Sequence, residues 1–282
     1  MNRIIKKKVF IVGSNGFLGS NIKNNLKKNK FYNLLTNNSK KIDFSNTKIC
    51  KKTLTLLKPD IIINCAAKTN IEFCEKNKKI TYNSNVKIVK NLTDYVKTYN
   101  CKLIHISTDH VYNSKFGYSS EAKKLAINYY AKSKLLGENY AIKSNAIILR
   151  TNFFGLSNKK GNLINWIVKS AKKREKIFLY DNIFFSPLNI KTLVKIIIKI
   201  LNSNKRGIYN LGSKNKISKS LFILKIAKKL KIKLNYKIIN YEPLNFIVKR
   251  PKDMSMNIRK FQKTFRTNLP TIESEINKLF IK

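Results

Sequence analysis

The chain has 282 residues, with 59 Lys or Arg against 14 Asp or Glu and a formal net charge of +45. At 43% hydrophobic and 11% aromatic residues it is too apolar for a basic disordered tail, and its length suits one large domain or two closely joined lobes. No run approaches the ~18–20 apolar residues that a spanning helix needs, which argues against membrane insertion.

In chain order, the first predicted element is a strand over Val9–Val12. Its apolar run is shorter than the ~7–15 residues of a signal-peptide core, so no export is expected. Short apolar runs then alternate with amphipathic ones. Helical periodicity covers Phe17–Lys28, Lys48–Leu57, Asn83–Lys97 and Asn128–Lys143, and strands are predicted at Tyr32–Leu35, Ile61–Asn64, Leu103–Ser107 and Ala146–Leu149. That alternation is the pattern of an α/β fold, a doubly wound parallel sheet of the Rossmann type. After Arg150 it loosens, with helices predicted at Leu163–Lys173 and Ile190–Leu201 and prolines punctuating the rest. A nucleotide-binding lobe over 1–150 and a smaller C-terminal substrate-binding lobe over 151–282, with segments returning to the first, are therefore expected. Trp166 is expected to pack the second lobe.

Only seven of the basic residues are Arg, and the lysines are spread along the chain beside abundant Asn and Ile. Base and phosphate readers concentrate charge on one element and favour Arg forks. No specific nucleic-acid partner is expected, only weak, salt-sensitive adhesion to polyanions. Cys50, Cys65, Cys74 and Cys101 show no C-x-x-C spacing and only two His are present, so four reduced cytoplasmic thiols and no metal site are expected.

Gly13, Gly16 and Gly19 form G-x-x-G-x-x-G between the first strand and the first helix, in a chain with nine Gly. Chance would produce that spacing in roughly one such chain in a hundred. Glycines there let the backbone turn tightly and approach a pyrophosphate at a helix N-terminus, so Gly13, Asn15, Gly16, Phe17, Leu18 and Gly19 are candidate cofactor contacts. Tyr130 and Lys134 form Y-x-x-x-K, which puts phenol and ammonium one turn apart on one helix face. In a chain so rich in Lys this pair carries weight only through its company: Gly137 and Glu138 follow on the same helix, and Ser107 to Tyr112 end the preceding strand.

Taken together these blocks resemble the extended short-chain dehydrogenase/reductases. The resemblance runs nearly end to end. It takes in the glycine loop, Asp43 and Phe44, Asn64 to Ala67 with Thr69, Asn85 and Val86, Ser107 to Tyr112, and Tyr130 with Lys134. Arg150 with Thr151 and Arg250 with Pro251 complete it. The resemblance implies a reductase for the C4 ketone of a nucleotide-linked 4-keto-6-deoxy sugar, carried most naturally by dTDP. It implies Thr108, Tyr130 and Lys134 as the catalytic trio. Asp43, Phe44, Ala66, Ala67, Thr69 and Asn85 join the cofactor set, and Thr108, Asp109, His110, Asn152, Phe153 and Arg250 face the substrate. Dehydratases of the same superfamily use an Asp-Glu pair after the Thr; here it is Asp109 and His110, which favours simple carbonyl reduction. An epimerase of the superfamily and a non-catalytic nucleotide-binding regulatory subunit remain alternatives, and a homodimer is expected. The cofactor is NADPH or NADH. The stretch Thr36–Lys41 lacks the acid that would hold an unmodified ribose, which tilts the choice towards NADPH.

Overall fold

A computed structural model describes residues 6–35, 42–157, 162–242 and 247–280. Its first half contains β1 (Lys7–Val12), α1 (Phe17–Lys27), β2 (Tyr32–Leu35), α2 (Thr47–Leu57), β3 (Ile61–Asn64), α3 (Ile71–Lys76) and α4 (Lys78–Tyr82). These are followed by α5 (Ile88–Thr98), β4 (Lys102–Thr108), α6 (Tyr129–Ala141) and β5 (Ile147–Thr151). The second half contains β6 (Phe153–Phe154), α7 (Leu163–Lys172), β7 (Lys176–Tyr180), β8 (Phe184–Phe185), β9 (Leu188–Asn189) and α8 (Ile190–Ile200). It ends with β10 (Gly207–Leu211), β11 (Ile217–Ser218), α9 (Lys219–Leu230), β12 (Asn235–Ile239), α10 (Arg259–Phe265) and α11 (Ile272–Asn277).

The central sheet has six strands in the order β10-β5-β4-β3-β1-β2, with β1 parallel to β2 and β3, and β3 parallel to β4. Ile61, Ile62 and Ile63 are all buried, as an inner parallel strand covered on both faces requires. The register sets Val12 beside Asn64 and Asn64 beside His105, aligning the carboxyl ends of three strands. The abundant asparagine has a structural use: Asn46, Asn70, Asn128 and Asn162 each accept a backbone N–H and cap α2, α3, α6 and α7.

The chain forms two compact units. The first comprises Met1–Ser107, Asn128–Leu149 and Val194–Ile208, the second Thr108–Ile127, Arg150–Leu193 and Tyr209–Lys282. A division at residue 150 was expected; the structure instead assigns Thr108–Ile127 to the second unit. There Ser114 N donates to Asp253 O at 3.0 Å and Ser119 N to Ser255 O at 2.9 Å. The first core gathers Phe10, Val12, Leu54, Ile62, Leu92, Leu103 and Ile148. The second gathers Ile164, Ile167, Leu179, Phe185, Phe222, Tyr241 and Ile272. Trp166, expected to pack inside, is 39% exposed on α7 because Ile164 and Ile167 take the inward face. The helix expected over Asn83–Lys97 opens with a π-helical turn, Asn83–Lys87, before α5. Among the described residues no helix is long and apolar enough to cross a membrane.

Candidate active site

The three glycines of the loop differ in their physical reasons. Gly13 has φ +82°, a left-handed conformation, and a Cβ there would sit 2.7 Å from Ala66 N. A Cβ at Gly19 would collide with the Gly13 carbonyl. Gly16 needs neither exemption: its φ is −69°, and a Cβ would meet only Gly13 O, at 3.2 Å. Gly16 is also exposed and is the N-cap of α1, with no side-chain cap, in a chain whose other helices readily recruit Asn. The first-turn N–H groups of Phe17 and Leu18 thus stand where a pyrophosphate could take them, and the cradle fits a dinucleotide. Leu18 itself is buried, so its contribution is the backbone. Asn15 is exposed at the loop tip.

The neighbouring loop after β3 is pinned from two sides. Asn64 Oδ1 accepts from Ala66 N at 3.1 Å, while Asn64 Nδ2 lies 3.2 Å from Nδ1 of the buried His105. Burial, then the Lys134 charge, push the His105 imidazole well below its usual range and keep it neutral. Asn85 was expected among the cofactor contacts. Its amide is instead spent on the protein: Oδ1 accepts from Lys68 N at 2.8 Å, and Nδ2 donates to Lys68 O at 3.0 Å and Ser133 Oγ at 2.9 Å. Asn85 therefore shapes the loop carrying Ala66, Ala67 and Thr69, of which Thr69 is exposed. Phe44, also expected near the cofactor, is buried against Phe10 with ring centroids 5.6 Å apart, which makes it a core residue. Asp43 Oδ1 accepts from Ser45 N and Ser45 Oγ, just ahead of Asn46, the N-cap of α2. The Thr36–Lys41 stretch lies outside the described residues.

Tyr130 and Lys134 are both buried on α6, which starts where the Asn128 side chain accepts from Ala131 N at 2.9 Å. Gly137 lets α6 approach closely, since a Cβ there would lie 2.5 Å from Asn85 O. Lys134 Nζ donates to Ile106 O at 2.8 Å, and Ser107 Oγ donates to Glu138, locking α6 to the end of β4. Burial lowers the Lys134 ammonium to about 8, against the opposing pull of Glu138.

The second unit begins with Thr108 and holds its own polar cluster. Thr108 Oγ1 accepts from His110 N at 3.2 Å and donates to Asp109 Oδ1 at 3.3 Å, and Asn152 Nδ2 donates to Asp109 Oδ2 at 2.8 Å. Burial raises the Asp109 carboxyl to about 6, with Asn152 and Lys219 opposing. Burial, then the charges of Lys219 and Arg250, depress His110 to about 3, so it is a neutral imidazole at working pH. Phe153 is half-buried beside Asn152 in sequence. Lys219 was not foreseen: in a chain with 59 basic residues a lone lysine carries no signal.

Arg150 is fully buried and structural. Its guanidinium donates to Tyr112 Oη and Glu121 O, both at 2.8 Å, and Tyr112 Oη donates to Asn210 Oδ1 at 2.6 Å. The four cysteines are free, and burial pushes Cys50, Cys65 and Cys101 up to about 12, which makes those thiols poor nucleophiles. Among the described residues no cluster of His, Cys, Asp or Glu could hold a metal ion.

A glycine loop under an uncapped helix, with a buried Tyr-Lys pair at the carboxyl edge of a parallel sheet, defines the class of nucleotide-dependent short-chain dehydrogenase/reductases. Within that class the chain belongs to the RmlD substrate binding domain family, which it matches over residues 7–282. It is 26% identical over 278 residues to a dTDP-4-dehydrorhamnose reductase of Aggregatibacter actinomycetemcomitans, covering 92% of this chain and 93% of that one. The Escherichia coli K12 protein of the same name is 26% identical over 259 residues, covering 84% and 86%. Among solved structures, a dTDP-4-dehydrorhamnose reductase of Bacillus anthracis in complex with NADP superposes with TM-score 0.90 at 25% identity, covering 98% of this chain and 99% of that one. A dTDP-glucose 4,6-dehydratase of the same organism, at 21% identity and TM-score 0.79 over 97% and 95%, shares the fold.

Proposed function

We propose that this chain is an NADPH-dependent reductase of the C4 ketone of a nucleotide-linked 4-keto-6-deoxy sugar, converting dTDP-4-dehydrorhamnose to dTDP-rhamnose. The observation that carries the reading is the buried Tyr130–Lys134 pair, with Lys134 tied to Ile106 O on β4, in a chain whose relatives bear that activity in their names. When bound, NADPH supplies the hydride. Gly16 and the N–H groups of Phe17 and Leu18 hold its pyrophosphate, and Ala66, Ala67 and Thr69 border it.

Tyr130 is the general acid. A phenol whose ordinary pKa is ~10 can give up its proton near neutrality only if its anion is stabilised, and the Lys134 ammonium does that one helical turn away. With one proton directed to Ile106 O, Lys134 has donors left for the nicotinamide ribose. Thr108 hydrogen-bonds the substrate carbonyl and strengthens as charge develops on its oxygen. Asp109, His110, Asn152, Phe153 and Arg250 contact the sugar nucleotide. The neutral His110 beside Asp109 supplies no second carboxylate, so reduction without elimination is the reaction the residues serve.

Four free thiols agree with a reducing cytoplasm, and a homodimer completes the proposal. The test is to supply dTDP-4-dehydrorhamnose with NADPH and identify the product. Stoichiometric cofactor oxidation with dTDP-rhamnose formed supports the reading. An epimerised sugar with no net NADPH consumption would replace it.

A further inference from the structure

β3 and β4 each bring a buried polar side chain to the same point of the first unit. Their register pairs Asn64 with His105, so the two side chains stand on one face of the sheet, and both are fully buried. Neither exchanges a proton or hydride in the reduction. A histidine kept only to fill the core would be a poor choice there. Its Nε2 is buried and, among the described residues, has no hydrogen-bond partner, a cost that an apolar side chain of similar size would avoid. The imidazole is explained by its other nitrogen.

The hydrogen bonds leave Nδ1 one role. Asn64 Oδ1 is taken by the Ala66 N–H at 3.1 Å, so the amide turns its Nδ2 donor towards Nδ1, 3.2 Å away. Nδ1 must therefore accept, and the proton sits on Nε2. Burial, then the Lys134 charge, oppose a second proton, which would make Nδ1 a donor facing a donor. What this relay holds is a peptide pressed against the glycine loop. Cys65 N donates to Val12 O at 2.9 Å, and a Cβ on Gly13 would lie 2.7 Å from Ala66 N and 2.8 Å from Ala66 Cα. Ala66 has no space in which to shift towards Gly13 without moving it.

We propose that His105 is a positioning residue for the cofactor: acting through Asn64, its Nδ1 fixes the Ala66 peptide against Gly13 and so sets the geometry in which the two loops receive NADPH. This rests on the reading of the chain as an NADPH-dependent reductase. Being fully buried, His105 reaches the ligand only through these bonds.

The experiment measures NADPH affinity by fluorescence quenching, and steady-state rates with dTDP-4-dehydrorhamnose, for wild type and two variants. His105→Phe fills the space without an acceptor, and His105→Asn returns an amide oxygen to the place of Nδ1. His105→Phe should weaken NADPH ~10-fold, about the weight of one or two hydrogen bonds, and raise its KM in parallel, with kcat at saturating NADPH kept within about twofold. His105→Asn should recover most of that affinity. In an Asn64→Leu background His105→Phe should cost nothing further, because the relay is already cut. Unchanged NADPH affinity in a folded His105→Phe protein would overturn the proposal. So would additive losses in the double variant, or a His105→Asn protein no better than His105→Phe, since each makes His105 a packing residue. Should the variants fail to fold, the imidazole nitrogen NMR shifts of the wild-type protein decide: a proton on Nε2 and none on Nδ1 supports the relay, and the opposite tautomer or a doubly protonated ring near neutral pH ends it. Wild-type protein that binds no NADPH would instead remove the reductase reading, and the proposal with it.

Discussion

Gly16→Val separates a glycine kept for the ligand from glycines kept for the fold. At φ −69° and ψ 172° the backbone of Gly16 accepts a β-branched residue without strain, and the added Cβ meets only Gly13 O, 3.2 Å away, which must yield by a few tenths of an ångström. The fold should therefore survive. The pyrophosphate should not, because the side chain occupies the space in front of the uncapped α1 N-terminus. Losing two charge-assisted hydrogen bonds to the first-turn N–H groups, at ~1.5–3 kcal/mol each, removes about 3–6 kcal/mol. That corresponds to a ~10²–10⁴-fold weaker NADPH complex. Quenching of intrinsic fluorescence by NADPH measures the affinity, and a cooperative thermal transition reports the fold. Gly19→Ala is the contrasting variant: its methyl collides with the Gly13 carbonyl, so it should lower the melting temperature. A folded Gly16→Val protein with wild-type NADPH affinity would refute the assignment of this loop.

Four further outcomes are expected. Lys134→Met should weaken NADPH by ~10-fold or more, roughly 1.4 kcal/mol, and also depress turnover, which separates it from a residue acting on the chemical step alone. The pH dependence has a definite sign. Burial lowers the free-enzyme Lys134 to about 8, so the cation is present below that pH and lost above it. NADPH affinity should thus fall as pH rises through 8, and binding above pH 8 should take up a proton, measurable by calorimetry in buffers of different ionisation enthalpy. Arg150→Ala should destabilise by about 3–5 kcal/mol in urea unfolding, because the Tyr112 hydroxyl and the Glu121 carbonyl lose a buried charged donor. Binding to DNA or RNA should be non-specific and largely lost between low and physiological salt; sequence-dependent binding that survives would contradict the view that the positive charge is solvated surface.

How much of this was legible in the sequence depends on whether the signal was local. The strands Tyr32–Leu35 and Ile61–Asn64 coincide with the runs that predicted them; Ile61–Asn64 is an inner parallel strand, apolar on both faces, while Tyr32–Leu35 lies at the sheet edge. The glycine loop and α6 were equally readable, because turn chemistry and the Tyr130–Lys134 spacing lie within a dozen residues. Thr108–Ile127 was not, because its partners near Asp253 and Ser255 stand about 140 residues further on. Asn85 and Phe44 carried the family pattern but not its reason: one braces a loop through Lys68 and Ser133, and the other fills the core beside Phe10. Lys219 was hidden by composition, and only the company of Arg250, His110 and Asp109 distinguishes it from the other lysines. The short helices α3 and α4, of six and five residues, span too few turns to show a period.

The central claim is that Tyr130 delivers the proton as hydride reaches the C4 carbonyl, and the steady-state rate of NADPH oxidation with dTDP-4-dehydrorhamnose tests it most directly. Wild type should turn over, and Tyr130→Phe should lose ~100-fold or more in kcat with NADPH affinity nearly unchanged, in keeping with the ~10²–10⁴-fold typical of general acid catalysis. Near-normal turnover by a folded Tyr130→Phe protein would contradict the account, because the proton would then come from another group.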